Sequence, residues 1–222
     1  MEKRKLLTLA LAVAGVVSNS IAQTGNESLG TGAGVGITTG DFSVFIGDSA
    51  GYSTTSSSYN TIMGYRAGYL FNSGDNDNVV IGTEAADQSS VAFDNVIIGK
   101  WAARTLDDGD NVVIGIEAGM NMTDAADNII IGEEAGESLT TGDDNVMIGE
   151  DAGRNQTTAS DNTFVGNQAG NRTTTGYRNT FIGNEAGWDN TTGYWNTFIG
   201  DSAGLDRKST RLNQSRGHLV CR

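Results

Sequence analysis

The chain has 222 residues, of which 27 are Asp or Glu and 14 are Lys or Arg, giving a formal net charge of −13. Glycine occurs 31 times and proline not at all, whereas about 7% glycine and about 5% proline are usual. The acidity argues against nucleic acid or anionic lipid as a partner. The single cysteine, Cys221, excludes a disulfide within the chain.

Residues 1–22 are typical of a secretory signal peptide. Three basic residues among the first five positions precede an apolar run over residues 6–17, and small residues follow up to Ala22. The run is too short to span a bilayer, and no later segment is apolar enough to do so. We therefore expect a secreted or surface protein of a bacterium whose mature chain begins at Gln23. An N-terminal core helix is the alternative.

The mature chain is built on one repeat, which is marked by an Ile-Gly step. With this repeat glycine as position zero, neighbouring repeats are 17 residues apart, except for one spacing of 18 and one of 16. Alanine stands at position +3 in all eleven repeats, and asparagine stands at −4 in all but one, where Ser43 replaces it. The repeat glycines are Gly30, Gly47, Gly64, Gly82, Gly99, Gly115, Gly132, Gly149, Gly166, Gly183 and Gly200.

Positions −3 to −1 of each repeat predict a short strand. They are mostly β-branched or aromatic and are bounded by Gly, Asn, Asp and Ser, and no helical period of useful length occurs. A unit this short cannot bury a core alone, so the repeats must stack on one another. We predict an all-β fold, a parallel β-solenoid or β-roll of about eleven 17-residue repeats over residues 23–205. Its length is about 48 Å at the usual strand spacing.

Stacking turns position −4 into a row of amides, here called the asparagine column. Each amide is expected to bond to its neighbours on adjacent rungs, which satisfies polar groups that are costly to bury. The column comprises Asn60, Asn78, Asn95, Asn111, Asn128, Asn145, Asn162, Asn179 and Asn196.

Both faces of the predicted strands carry apolar rows. Positions −3 and −1 share one face, and position −2 points to the other, beside the asparagine column. Because a thin coil has one interior, one row is expected to be exposed and to join chains. We predict that the −2 residues, here called the inner strand row, form the interface of a homotrimer; a wider coil or a second sheet within one chain is the alternative. The row comprises Phe45, Ile62, Val80, Ile97, Val113, Ile130, Met147, Phe164, Phe181 and Phe198.

Six consecutive repeats carry aspartate at position −5. Like charges stacked one rung apart repel, which favours either a hydrated edge or Ca²⁺ bound through oxygen ligands. The spacing fits no dedicated calcium loop, so the hydrated edge is the leading interpretation, and no other cofactor is expected. This aspartate column comprises Asp77, Asp94, Asp110, Asp127, Asp144 and Asp161.

The unit Asn-Thr-Phe-Ile-Gly-x-x-Ala-Gly resembles the head repeats of trimeric autotransporter adhesins and the repeats of bacterial and phage tail-fibre-like proteins. Its clearest matches are residues 162–170, 179–187 and 196–204, and the resemblance covers about residues 26–204. It implies a left-handed, trimeric parallel β-roll that serves as an adhesive or spacer element. The adhesin heads use a shorter repeat than the 17 residues found here.

Residues 206–222 break the repeat and are basic. Residues 206–213 resemble the conceptual translation of a sequencing-library adapter, so we expect a non-native segment; a real basic tail is the alternative. In the first case His218 and Cys221 have no functional meaning, and no histidine is left for a catalytic base or a zinc site.

No constellation in the repeats indicates an enzyme. Carboxylate pairs such as Glu133-Glu134 recur in a pattern typical of a solvated face. We expect a structural or adhesive rod that binds a host surface, a matrix or a glycan through many weak contacts. Two alternatives stay open: an ice-binding solenoid through threonine pairs such as Thr140-Thr141, and a polysaccharide-active β-helix. For the adhesive rod, four aromatic residues near the end of the repeats are expected either to stack on sugars or to cap the coil: Tyr177, Trp188, Tyr194 and Trp195.

Overall fold

The structure is a computed structural model that describes residues 25–205, apart from residues 73, 75 and 91. Throughout these residues the only regular elements are strands of three residues each, and no helix occurs. Among these residues, none forms a helix long and apolar enough to cross a membrane. The predicted signal peptide and the basic segment 206–222 lie outside the described residues.

Each repeat contributes one strand. The strands are β1 (Glu27–Leu29), β2 (Val44–Ile46), β3 (Thr61–Met63), β4 (Val79–Ile81), β5 (Val96–Ile98), β6 (Val112–Ile114), β7 (Ile129–Ile131), β8 (Val146–Ile148), β9 (Thr163–Val165), β10 (Thr180–Ile182) and β11 (Thr197–Ile199).

All eleven strands form one parallel sheet in sequence order. Every strand pairs in register with the next, so that identical positions lie opposite each other, as Phe164 and Phe181 do in β9 and β10. A parallel sheet in which each strand follows its neighbour one repeat later is a coil, and the predicted all-β solenoid is confirmed. The left-handed sense implied by the resemblance stays a prediction.

The repeat glycine allows the rungs to approach each other at the end of the strand. Its φ lies between 128° and 147° in all eleven repeats, a region that is essentially restricted to glycine. A Cβ atom on Gly132 would fall far inside van der Waals contact with the carbonyl oxygen of Gly149 on the next rung. Both the backbone conformation and the close approach therefore require glycine at this position.

The interior is lined by several buried columns: besides the four described here, small residues at position +10 are buried, among them Ser57, Ala92, Ala125 and Ala159. The asparagine column, the inner strand row and the alanines at position +3 were recognised in the sequence, and all point inward. A fourth, here called the variable column, stands at position +7 and was missed, because its residues share no chemical type. It comprises Ile37, Thr54, Phe71, Ser89, Leu106, Met122, Leu139, Gln156, Thr173 and Asn190, none more than 3% exposed.

The inner strand row is the core of a single chain, so its assignment to an interface between chains is wrong. Every member from Phe45 to Phe181 is fully buried within one chain, and Phe198 on the last rung is partly buried against the same cluster. The variable column and the alanines close over this row from the far side of the coil. Positions −3 and −1 are the exposed apolar face.

Candidate interaction surfaces

One apolar surface runs along the sheet and consists of positions −3 and −1 of β2 to β11, here called the outer strand rows. None of these side chains is fully buried, and Ile129, Ile182 and Ile199 are exposed. Because the strands pair in register, the rows form one strip along the rod. The strip comprises Val44, Ile46, Thr61, Met63, Val79, Ile81, Val96, Ile98, Val112, Ile114, Ile129, Ile131, Val146, Ile148, Thr163, Val165, Thr180, Ile182, Thr197 and Ile199.

The asparagine column is joined to the backbone of neighbouring rungs. From Asn78 to Asn196, each asparagine donates its main-chain N–H to the Oδ1 atom of the previous asparagine at 2.9 to 3.1 Å. The Nδ2 atoms from Asn78 to Asn179 each donate to a carbonyl oxygen 13 or 14 residues later at 2.7 to 2.9 Å. The column thus ties each rung to the one before and closes its own turn.

Direct amide-to-amide bonds also connect the column, with two interruptions. Nδ2 donates to the previous Oδ1 at 3.0 to 3.3 Å in six steps. At Asn162 the Nδ2 atom bonds instead to Oε1 of Gln156, a residue of the variable column. At Asn111, on the rung that follows the 16-residue spacing, it bonds to the carbonyl oxygens of Gly109 and Ala125.

The aspartate column has a role in the turn. All six aspartates are exposed and have φ between 56° and 62°, a left-handed conformation that Asp and Asn tolerate better than most residues. The same position holds Phe42, Tyr59, Arg178 and Trp195 on other rungs, so the turn does not depend on a carboxylate. Among the described residues, no group of three or more His, Cys, Asp or Glu is placed to hold a metal ion. The geometry gives the calcium hypothesis no support.

One arginine, Arg154, contacts several carboxylates on the side of the coil that carries positions +1 to +6. Arg154 contacts Glu134 and Glu137 at 2.7 Å and Asp151 at 3.3 Å. Partial burial raises the pKa of Glu134, Arg154 opposes that shift, and neighbouring carboxylates add to it. The hydrogen bond to Glu137 and the surrounding carboxylates raise the pKa of Arg154. The guanidinium therefore stays charged and offsets repulsion among stacked acids.

Some of the aromatic residues proposed for sugar stacking pack against one another. The rings of Tyr177 and Tyr194 are 5.1 Å apart and nearly parallel, and Trp195 meets Tyr194 edge-on. The Trp188 ring lies 5.8 Å from the guanidinium of Arg172. Rings stacked along the rod cover each other's faces and turn their edges outward, so the tyrosine pair offers a sugar little ring face.

Threonine hydroxyls at position +8 are directed along the rod. Thr123, Thr140, Thr157 and Thr174 each donate from Oγ1 to the main-chain carbonyl of the next rung's position +8 at 2.9 to 3.3 Å. These protons are engaged within the protein, which weakens the case for a threonine surface that orders water.

Comparisons with known proteins found no matching family model, no matching curated protein and no matching solved structure. The resemblance to autotransporter heads and tail-fibre repeats therefore stays a prediction from the repeat sequence, and the function is argued from the surfaces described above.

Proposed function

We propose that this protein is a structural and adhesive rod of a bacterial cell surface, in which three copies of the chain pack through their outer strand rows. The observation that carries the proposal is the continuous apolar strip along the in-register sheet. Single exposed apolar residues are ordinary on protein surfaces, but a contiguous apolar patch of this length usually marks an interface.

A second copy of the same chain fits this strip better than an unrelated partner does. Another rod carries the same two rows at the same rung spacing, so that Ile and Val side chains of one copy fall between those of its neighbours along the whole length. Identical chains also close into a symmetric assembly without leaving an apolar edge. Three copies agree with the architecture that the resemblance implies.

The interior supports a mechanical role. The asparagine column crosslinks successive rungs by side-chain bonds in addition to the sheet hydrogen bonds, which favours a stiff coil. A stiff rod presents many copies of each surface position at fixed intervals, so individually weak contacts with a host surface or a matrix add up through avidity.

The mass of the full chain in solution, measured by light scattering, tests the assembly. We expect three times the chain mass, and Ile148→Asp in the middle of the outer strand rows should lower it to the mass of one chain while leaving the circular dichroism spectrum unchanged. Ser138→Asp, a matched substitution on another side of the coil, should leave the trimer intact. A well-folded monomer at every concentration would overturn the proposed assembly.

A further inference from the structure

The side of the rod that carries positions +1 to +5 changes from partly basic to strongly acidic along its length. Three of the six basic residues of the described rod lie close together at positions +1, +2 and +5 of the rungs that begin at Gly64 and Gly99. We call this group, with the aromatic residues beside it, the basic aromatic patch. It comprises Tyr65, Arg66, Tyr69, Lys100, Trp101 and Arg104.

The two arginines of the patch are held by a carboxylate between them. Asp87 is buried, contacts Nε of Arg104 at 2.8 Å and lies 3.5 Å from Arg66. The guanidinium of Arg66 also lies over the ring of Tyr69 at 4.3 Å. Each guanidinium has five N–H donors, so these contacts orient the two groups without using all of their donors.

Lys100 is the most available cation of the patch. Its side chain is exposed, its ammonium lies 3.7 Å from the Trp101 ring centre, and it takes part in none of the ion pairs found among the described residues. Trp101 is fixed in turn, because its indole N–H donates to Glu84 at 2.9 Å. Tyr65 is 49% exposed and adds a free phenol beside Arg66.

The rungs that follow on the same side are strongly acidic. Glu117, Glu133, Glu134, Glu150 and Asp151 occupy positions +1 and +2 from Gly115 to Gly149. An anionic polymer is repelled by that stretch. Within the patch, Asp87 pairs with both arginines and Glu84 lies 3.6 Å from Arg104, so Lys100 is the cation left to attract such a polymer to the rungs between Gly64 and Gly99.

We propose that the basic aromatic patch binds a carboxylate-bearing polysaccharide. The rungs that carry Arg66 and Lys100 are two steps apart, about 10 Å at the strand spacing, which is comparable to the length of a disaccharide. The guanidinium groups of Arg66 and Arg104 lie closer together, because both contact Asp87.

The ring of Tyr69 is stacked on Tyr52 at 5.1 Å and is also covered by Arg66. The aromatic contact with a sugar is therefore assigned to the exposed ring of Tyr65. Guanidinium and ammonium groups bind carboxylates. Because the patch extends over successive rungs, an extended chain laid along the rod can contact all of it.

This proposal names a ligand class for the adhesive role and therefore rests on the proposed function. A negative binding result would leave the proposed trimeric rod untouched, because the rod is tested separately by its mass in solution. The experiment is native electrophoresis of the full chain in gels with and without dissolved polygalacturonate, with dextran as the neutral polymer. We expect polygalacturonate to retard the chain, dextran to have no effect, and added salt to weaken the retardation.

Lys100→Glu should weaken the apparent affinity about tenfold, because one favourable charge contact is replaced by repulsion. Arg178→Glu is the matched control, since it makes the same change of charge outside the patch, and it should bind as the unaltered chain does. Equal effects of the two variants, or equal retardation by dextran, would overturn the proposal. Equal retardation by polyglutamate would also overturn it, because the patch would then select charge without selecting a sugar. None of these outcomes alters the mass that tests the rod.

Discussion

The asparagine column and the variable column both lie inside the coil, but they differ in the range of residue types that they contain. The asparagine column is nearly uniform, whereas the variable column contains aliphatic, aromatic, hydroxyl and amide side chains, although both are buried. Asparagine side chains bond to the backbone of the next rung and of their own turn, as Asn128 does with Asn145 and Gly142 respectively. Leu139 of the variable column only fills space. A column in this coil keeps one residue type where its side chains supply the hydrogen bonds of backbone groups.

The largest effect should come from the repeat glycine, where backbone meets backbone. Gly132→Ala places a Cβ against the carbonyl of Gly149 at a φ of 143°, and should cost more than about 3 kcal/mol of unfolding free energy. The control is Gly136→Ala at position +4, where the nearest atoms belong to side chains and Ala86 is accommodated at a φ of 48°. It should cost about 1–2 kcal/mol. Equal losses in urea denaturation would contradict the distinction.

Removal of one asparagine should come next. Asn128→Ala leaves the buried N–H of Asn145 and the carbonyl of Gly142 without their partners, at a cost of about 3 kcal/mol. Asn128→Ser should cost clearly less, because Ser43 already accepts the N–H of Asn60 in this column at 3.1 Å. Urea denaturation compares the two variants. If serine is no better than alanine, the bond to the backbone is not what makes the column uniform.

The variable column should accept a change that improves it. The hydroxyl of Thr173 is buried and has no hydrogen-bond partner, so Thr173→Val removes an unsatisfied group at nearly constant volume. We expect a gain of about 1 kcal/mol in the free energy of unfolding. Thr174→Val, on the adjacent residue whose hydroxyl donates to Thr191 at 3.1 Å, is the control and should give no gain. A loss of stability in Thr173→Val would show that the column is more constrained than its composition indicates.

The smallest effect concerns the acidic surface and depends on pH. Arg154→Met removes the cation that opposes the raised pKa of Glu134, and should cost less than about 1 kcal/mol at pH 7, since the group is partly exposed. A carboxyl with a raised pKa in the folded state favours folding when protonated, so its penalty grows as pH rises through that pKa. The difference from the unaltered chain should therefore shrink near pH 4 in thermal unfolding. An identical difference at both pH values would exclude the electrostatic explanation.

Much of the fold could be predicted because the same residue pattern recurs in every repeat. The glycine, alanine and asparagine columns each recur at one spacing, so strand position, register and stacking follow from it. The variable column could not be found this way, because burial at position +7 places no demand on chemical type. The only available signal was position: from Ile37 to Asn190 it recurs seven residues after the repeat glycine.

The candidate surfaces were predicted less well. The sequence shows that both faces of each strand are apolar, but it does not show which one other segments cover, and the inner strand row was placed on the wrong side. The basic aromatic patch was missed because Arg66, Lys100 and Arg104 are separated in the sequence by up to 38 residues and converge only when rungs stack.

The sequence by itself therefore determined the strand, the rung length and the order of stacking, since these depend on local backbone chemistry repeated at a fixed interval. Only the tertiary structure decided which apolar row is the core and which side chains meet across rungs. The physical reason is that inside and outside are properties of the closed coil: a residue such as Phe164 becomes buried only when the alanine and variable columns lie opposite it.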